Sequence, residues 1–137
     1  MREKVISQNS NLPRIYKLYL LFKIKRIDAF NNASFGTDLN KGAKFASPPN
    51  LPHGQNGIII GHDAIIGKNV TIYHQVTITQ GNVKIGDNVI LGAGAKILPN
   101  VSIGDNAKIG ANCVVVENVP ANAKCVLAKP RILLTHN

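Results

Sequence analysis

A six-residue repeat runs through most of this chain and limits the folds open to it. An aliphatic residue recurs at every sixth position, with one extra residue between Ile78 and Ile85. These residues are Ile60, Ile66, Ile72, Ile78, Ile85, Leu91, Ile97, Ile103, Ile109 and Val115. An α-helix needs an apolar period near 3.6, and a sandwich of short strands places turns about every 8–12 residues. Three six-residue units instead make one triangular coil, so the period predicts an all-β solenoid of stacked coils.

Two other positions of each unit agree with this prediction. A small or β-branched residue stands four places after the aliphatic one, at Ala64, Val70, Val76, Val89, Ala95, Val101, Ala107, Cys113 and Val119, with Asn82 as the exception. The position three places after the aliphatic residue usually holds Asn, Asp or Gly, which tolerate the left-handed backbone of a tight turn. The unit therefore reads as a short strand, a turn and a second inward side chain that fills a narrow core.

The charge of the chain is concentrated at its N-terminal end. The formal net charge is +9, of which residues 1–30 contribute +5, whereas residues 60–119 are neutral. Six of the seven aromatic residues also precede residue 46. No nucleic-acid-binding motif accompanies the basic residues, so a nucleic-acid partner is not expected. Two cysteines are too few for a disulfide scaffold, and neither a membrane span nor a secretory signal is recognisable.

The basic N-terminal part predicts a helix from about Leu12 to Ala29, capped by Ser10 or Asn11 and with Pro13 in its first turn. Such a basic amphipathic helix can rest on an anionic membrane surface. The simpler interpretation is a helix packed on the solenoid or on a neighbouring subunit. The predicted organisation is a helical segment at 1–30, a β-solenoid domain at 31–132 and a tail at 133–137.

Of the four histidines, His53 stands out by its position. It lies in a loop rich in Pro, Gly and Asn (residues 46–57) that interrupts the repeat just before it becomes regular. Loops at the edge of a rigid scaffold commonly carry catalytic groups, although a lone loop histidine is more often structural or merely exposed. His62 occupies an outward position of the repeat, and His136 is next to the C-terminus.

Four segments carry a resemblance to a known family: LPHGQNGIIIG (51–61), IYHQVTI (72–78), ILGAGAKIL (90–98) and IGANCVVVENVP (109–120). They resemble the left-handed β-helix, hexapeptide-repeat acyltransferases, and are most similar to the serine acetyltransferase branch and its polysaccharide O-acetyltransferase relatives. The resemblance implies a left-handed parallel β-helix, a homotrimer with active sites between subunits, and acetyl-CoA as donor. It also implies a cytoplasmic enzyme without a metal, at the inner face of the membrane if the helix binds lipid.

The resemblance implies that His53 is the general base and that Asp38, fifteen residues earlier, holds its other ring nitrogen. This pairing suits the chemistry. A neutral imidazole, with an ordinary pKa near 6.5, can remove the proton of a hydroxyl that attacks a thioester. A carboxylate on the far nitrogen fixes the tautomer and stabilises the imidazolium that forms.

The remaining site residues also come from the resemblance. His74 and Gln75 are expected to contact the acceptor, although Gln75 also suits a plain turn. The pairs Gly92-Ala93 and Gly110-Ala111 lie one coil apart and are expected to let the pantetheine arm of CoA approach the backbone. For Ala93 and Ala111, ordinary turn geometry is the alternative. Lys129 and Arg131 are expected to meet the CoA phosphates.

Three departures from the family pattern affect the expected acceptor and donor. The loop at 79–83 lacks the second active-site histidine of serine acetyltransferases, and the short segment 1–30 stands in place of a large helical N-terminal domain. Both departures favour a sugar hydroxyl in surface-polysaccharide synthesis, with L-serine as the alternative. The third, Leu127-Ala128-Lys129-Pro130 in place of a Gly-containing turn, puts the CoA contacts in doubt.

Two other functions are alternatives to acetyl transfer. A zinc enzyme on the same scaffold needs three converging histidines, and the spacings of 9 and 12 between His53, His62 and His74 do not match that pattern. A non-catalytic scaffold or binding module is the remaining alternative.

Overall fold

The structure is a computed structural model that describes residues 1–133, so His136 and all but the first residue of the predicted tail lie outside the described residues. Two helices, α1 (Arg2–Ile6) and α2 (Arg14–Phe30), precede a series of two-residue strands. The strands are β1 (Ser34–Phe35), β2 (Thr37–Asp38), β3 (Lys41–Gly42), β4 (Lys44–Phe45), β5 (Ile59–Ile60), β6 (Ile65–Ile66), β7 (Thr71–Ile72), β8 (Thr77–Ile78), β9 (Lys84–Ile85), β10 (Ile90–Leu91), β11 (Lys96–Ile97), β12 (Ser102–Ile103), β13 (Lys108–Ile109), β14 (Val114–Val115) and β15 (Lys124–Cys125).

Thirteen of these strands form three parallel sheets that the chain visits in rotation, and β2 and β3 pair as an antiparallel hairpin. Sheet I has the order β1-β5-β8-β11-β14, sheet II β12-β9-β6-β4 and sheet III β15-β13-β10-β7. Each coil therefore runs from sheet I to II to III and back to I, with a turn at each of three corners. Register follows the repeat, as in Ile90 paired with Lys108. The parallel stacking confirms the predicted β-solenoid.

The core of the solenoid consists of the two inward positions that the repeat predicts. The aliphatic residues from Ile60 to Val115 and the small residues from Ala64 to Cys113 are buried. The extra residue in the irregular unit is absorbed at Gly81, whose φ is +118°. Val83, rather than Asn82, then points into the core and is fully buried.

Asparagines at the turns adopt the left-handed backbone conformation that their position in the repeat predicts. Asn69, Asn88, Asn106 and Asn122 all have positive φ. They stack at the corner between sheets II and III, where each side-chain amide donates to the next side-chain oxygen at 3.3, 3.2 and 3.1 Å. The ladder joins successive coils at this corner.

The N-terminal segment differs in detail from its prediction. Helix α2 begins at Arg14 with Pro13 as its N-cap and no side-chain cap, because the chain at Ser10 and Asn11 is not yet helical. The helix α1 was not predicted. Leu20 and Ile24 of α2 pack with Val5 of α1. No described helix has the length and apolar character needed to cross a membrane.

Polar contacts tie both helices to the first coil. Arg2 forms an ion pair with the buried Asp28 at 2.5 Å and donates to Thr37. The buried Lys17 donates to the Ser7 carbonyl and to the Asn40 side chain. Thr37 and Asn40 belong to the hairpin formed by β2 and β3, so one face of α2 is packed on the solenoid, in agreement with the simpler interpretation of the helix. The predicted domain boundaries stay predictions.

Candidate functional site

The corner between sheets III and I gathers most of the predicted site residues. Four turns stack there, at residues 51–57, 73–76, 92–95 and 110–113, each following a strand of sheet III or, in the first coil, the bridge of Asn50 to Thr71. His53, His74, Gln75, Gly92, Ala93, Gly110 and Ala111 all lie in these turns. We refer to this as the III–I corner.

The loop that carries His53 is held in place by its backbone. The N–H of Gly57 donates to the Asn31 carbonyl at 3.0 Å, and the N–H of Gln75 donates to the Asn56 carbonyl at 2.9 Å. Leu51 packs against the core. Gly54 and Gly57 have positive φ, which lets the loop make two tight turns in quick succession. A rigid scaffold thus presents an exposed imidazole.

His53 and His74 face one another across two successive coils. Their Nδ1 atoms are 2.9 Å apart, a hydrogen-bond distance, and their ring centroids are 4.9 Å apart. The ring of Tyr73 meets His53 edge-on, with centroids 5.5 Å apart and an interplanar angle of 83°. His53 is exposed and His74 is half-buried, so His74 is the more fixed of the two rings.

The Nδ1–Nδ1 contact constrains where the protons are. Two neutral imidazoles can share it only if one Nδ1 carries hydrogen and the other offers a lone pair. The donor ring then has a free lone pair on Nε2, and the acceptor ring has an Nε2–H. Neither Nε2 bonds to another residue in the described part of the chain. The pair therefore presents one base and one hydrogen-bond donor.

Asp38 lies at a different corner from His53 in the same chain. It belongs to the hairpin between sheets I and II, where its carboxylate accepts from the Leu39 N–H at 2.9 Å and lies 3.8 Å from Lys41. The structure of one chain does not bring Asp38 to His53, and the neighbour on Nδ1 is His74 instead. Asp38 and His53 do not share a corner, because the β2–β3 hairpin that carries Asp38 adds residues to the first coil between sheets I and II. The pairing of Asp38 with His53 stays a prediction.

The turn residues of the III–I corner stack in register. Leu91 pairs with both Ile72 and Ile109, which aligns His74 with Ala93 and Ala111, and Tyr73 with Gly92 and Gly110. A Cβ on Gly92 would lie 2.6 Å from the Ala111 nitrogen, so close packing of the coils already requires this glycine. Ala93 and Ala111 leave a smooth strip of surface that begins at His74.

Gln75 takes the place of a turn asparagine. Its φ is +58°, and its side chain is exposed. The turn interpretation is thus sufficient for its backbone, while the side chain remains free to contact a ligand.

Three cations lie on or beyond this corner. Lys129 and Arg131 are exposed in the extended segment that follows β15, and the Cys125 carbonyl of that strand accepts from the Gly110 N–H. Lys96, which the sequence did not single out, donates to the Gly94 carbonyl at 3.1 Å. The repeat alone does not distinguish Lys96 from Lys84 and Lys108, which occupy the same position of their strands.

Within residues 1–133, no group of three or more His, Cys, Asp or Glu side chains is placed to hold a metal ion. His62 lies at the I–II corner, where with Asp38 and Gln80 it lines a cavity of about 280 Å³. The three histidines that a zinc site would need are thus divided between two corners.

Nearby, Asp63 is held in a turn by backbone donors. The N–H groups of Asn82 and Gly81 bond to its carboxylate at 3.0 and 2.9 Å. These bonds hold the pKa of the carboxyl below its usual value.

Comparison with known proteins gives a consistent family. Residues 82–117 match the family described as bacterial transferase hexapeptide (six repeats). A serine acetyltransferase of Staphylococcus epidermidis is 38% identical over 92 residues, which cover 62% of this chain and 43% of the relative. The chain spans less than half of the length of this relative.

Solved structures agree. Serine acetyltransferase isoform 3 of Entamoeba histolytica, in complex with cysteine, is 28% identical with a TM-score of 0.72 and covers 91% of this chain and 44% of that one. A serine acetyltransferase in complex with CoA is 33% identical with a TM-score of 0.68, over 81% of this chain and 46% of that one. These likenesses confirm the predicted left-handed parallel β-helix.

Proposed function

We propose that this chain, a left-handed β-helix whose residues 82–117 match the hexapeptide-repeat transferases, is an acetyl-CoA-dependent O-acetyltransferase. The observation that carries the proposal is the His53–His74 pair, which presents a free ring nitrogen at the head of a smooth strip of stacked turns. The likeness to serine acetyltransferases over more than half of the chain supports it.

In the proposed reaction His53 is the general base. Its Nδ1–H donates to the Nδ1 of His74, so its Nε2 lone pair can take the proton of the acceptor hydroxyl. The hydroxyl oxygen forms a bond to the carbonyl carbon of the thioester, and the bond from that carbon to sulfur breaks. The proton held by His53 then passes to the CoA sulfur, which leaves as the free thiol.

His74 has two roles in this scheme. It keeps His53 in the tautomer that has a free Nε2, and it accepts a charge-assisted hydrogen bond once His53 becomes an imidazolium. Its own Nε2–H is a donor that can meet the oxygen on which negative charge develops.

The donor is proposed to lie along the III–I corner. The small side chains of Ala93 and Ala111 leave room for an extended chain to run along the coils, with Gly92 and Gly110 in the same turns. Lys129, Arg131 and Lys96 supply positive charge for the phosphates of CoA. Because acetyl-CoA is a cytoplasmic thioester, the cytoplasm is the proposed place of the reaction.

L-serine is the acceptor that we propose first. The relatives and the solved structures named above are serine acetyltransferases, and they favour serine over the sugar that the sequence favoured. A sugar hydroxyl is the second candidate, because the short loop at 79–83, which lies at the I–II corner, has no histidine to contact a small amino acid. Gln75, with its exposed side chain, is the proposed acceptor contact in either case.

A homotrimer with active sites between subunits is part of the proposal. Asp38 can contribute to a site only if the I–II corner of one subunit lies against the III–I corner of the next. In that arrangement the carboxylate of a neighbouring subunit would reach the imidazole pair.

The test is an acceptor panel. The purified chain is supplied with acetyl-CoA and, in turn, L-serine, amino sugars, and nucleotide- or lipid-linked sugars, while release of the CoA thiol is followed. Acceptor-dependent release with serine is the expected result. Release of the CoA thiol only with a sugar would show that the acceptor is a sugar hydroxyl and not L-serine. Absence of release with every acceptor, together with no binding of acetyl-CoA by calorimetry, would instead indicate a non-catalytic scaffold.

A further inference from the structure

Helix α2 has a second face that the solenoid does not use. Its packed face carries Leu20 and Ile24, while the opposite side points to solvent. Large apolar side chains on that side include Ile15, Phe22 and Phe30, which are 80%, 64% and 92% exposed. At about 100° per residue these positions, with Leu18 and Tyr19, form one continuous stripe. We call it the outward face of α2.

Exposed cations accompany this stripe, and no carboxylate does. At about 100° per residue Arg26 falls within the stripe and Lys23 borders one side of it. Arg14 and Lys25 border the other side. Arg14, Lys23, Lys25 and Arg26 are all exposed, and none of them forms a salt bridge within residues 1–133. The one acidic residue of the helix, Asp28, is buried and paired with Arg2. The outward face thus combines exposed apolar rings with a net charge of +4 from these four residues.

No described part of the same chain has the charge that would complement this face. Residues 60–119 contain as many acidic as basic side chains, and a second α2 would bring four like charges to the contact. A nucleic acid could match the charge, but it offers little to the stripe of Ile15, Leu18 and Phe22. A surface that is both anionic and able to receive apolar side chains is an anionic lipid bilayer.

We propose that the outward face of α2 docks this protein on anionic membranes, with the apolar stripe at the level of the acyl chains and the cations among the headgroups. A helix from Arg14 to Phe30 with Lys23 and Arg26 on its free face suits an orientation in the interface plane. Lys25 lies nearer the solenoid, where it lines the cavity that contains Asp38. Tyr16, which is exposed, stands at the boundary of the stripe, where an amphipathic ring is well placed. The inference does not depend on the acetyl-transfer proposal.

The test uses the full chain and co-sedimentation with vesicles of phosphatidylcholine, with or without phosphatidylglycerol. Binding is expected only when the anionic lipid is present, and it should weaken as salt is raised. Lys23→Gln with Arg26→Gln should weaken binding about 25-fold, since each cation near such a surface contributes about fivefold. Phe22→Ser with Phe30→Ser should weaken it as well. The matched control, Lys84→Gln with Lys108→Gln, removes two exposed lysines from β9 and β13 and should bind as the parent does.

Other occupants of the face give different results. Equal binding to neutral and anionic vesicles, or equal loss in the control variant, would overturn the role of the four cations. If vesicles are not bound and the Phe22 and Phe30 substitutions change the oligomeric state by light scattering, the face is a contact between copies. Binding of an oligonucleotide without binding of vesicles would also overturn the proposal. Because the face is solvent-exposed, unchanged circular dichroism is expected for each variant.

Discussion

Replacing His74 is the perturbation that most sharply separates positioning of the base from contact with the acceptor. His74→Phe keeps an aromatic ring but removes the Nδ1 that lies 2.9 Å from the Nδ1 of His53. The hydrogen bond becomes charge-assisted when His53 takes up a proton, and bonds to charged groups contribute about 1.5–3 kcal/mol. Loss of that energy from the transition state alone lowers kcat by about 10- to 150-fold, with little change in KM for the acceptor.

His74→Asn is the matched variant. The Oδ1 of asparagine lies close to the place of a histidine Nδ1 and can still accept from His53, so the part of the loss that comes from the Nδ1 contact should return. The assay is release of CoA thiol at saturating acetyl-CoA over a range of acceptor concentrations, with thermal unfolding as a check of folding. A raised KM with unchanged kcat in His74→Phe would show that His74 contacts the acceptor and does not position His53.

Three further predictions concern the turns and the second subunit. Asp63→Ala should lower the free energy of unfolding by about 1 kcal/mol at neutral pH. Because the pKa of Asp63 is depressed in the folded chain, its contribution is present above the ordinary carboxyl pKa and is lost as the pH falls through the lowered value, so urea denaturation of parent and variant should converge in acid. Asn106→Ala should cost about 1–2 kcal/mol, since φ at this position is +59°, whereas Asn106→Gly should cost less; equal losses in urea denaturation would show that the strain is absent. Finally, mixing Asp38→Ala and His53→Ala chains during refolding should restore thiol release, because the proposed site takes the two residues from different subunits. No restoration would show that both residues must come from one chain.

The solenoid could be predicted from the sequence because its period is independent of tertiary detail. A six-residue repeat with two inward positions fits a solenoid of stacked triangular coils, and the core from Ile60 to Val115 has this arrangement. Even the exception at Asn82 has a local cause, because Gly81 absorbs the extra residue and Val83 becomes the inward side chain. What the repeat could not reveal is α1, a helix of one short turn that owes its position to the Arg2–Asp28 ion pair.

The candidate site was predicted in part for the same reason. Ala93 and Ala111 lie within the regular coils and are stacked as their one-coil spacing suggests. The first coil is irregular, because more of the chain separates Asn50 from its bridge partner Thr71 than separates paired residues of the regular coils. His53 and His74 share the offset of that bridge, which is why they meet. The hairpin of β2 and β3 leaves Asp38 at another corner. The number of residues that each irregular loop adds to its coil depends on the loop's backbone conformation, which a single sequence does not reveal.

The most direct test of acetyl transfer at the III–I corner is the rate of CoA thiol release by His53→Ala, compared with the parent chain at saturating acetyl-CoA and L-serine. Positioned general-base catalysis contributes about 100- to 10,000-fold, so the variant should lose at least about 99% of kcat while it keeps its thermal stability and its binding of CoA. His53 is exposed and outside the core, so the fold should survive the change. A variant that keeps the parent's kcat would contradict the assignment of His53 as the base.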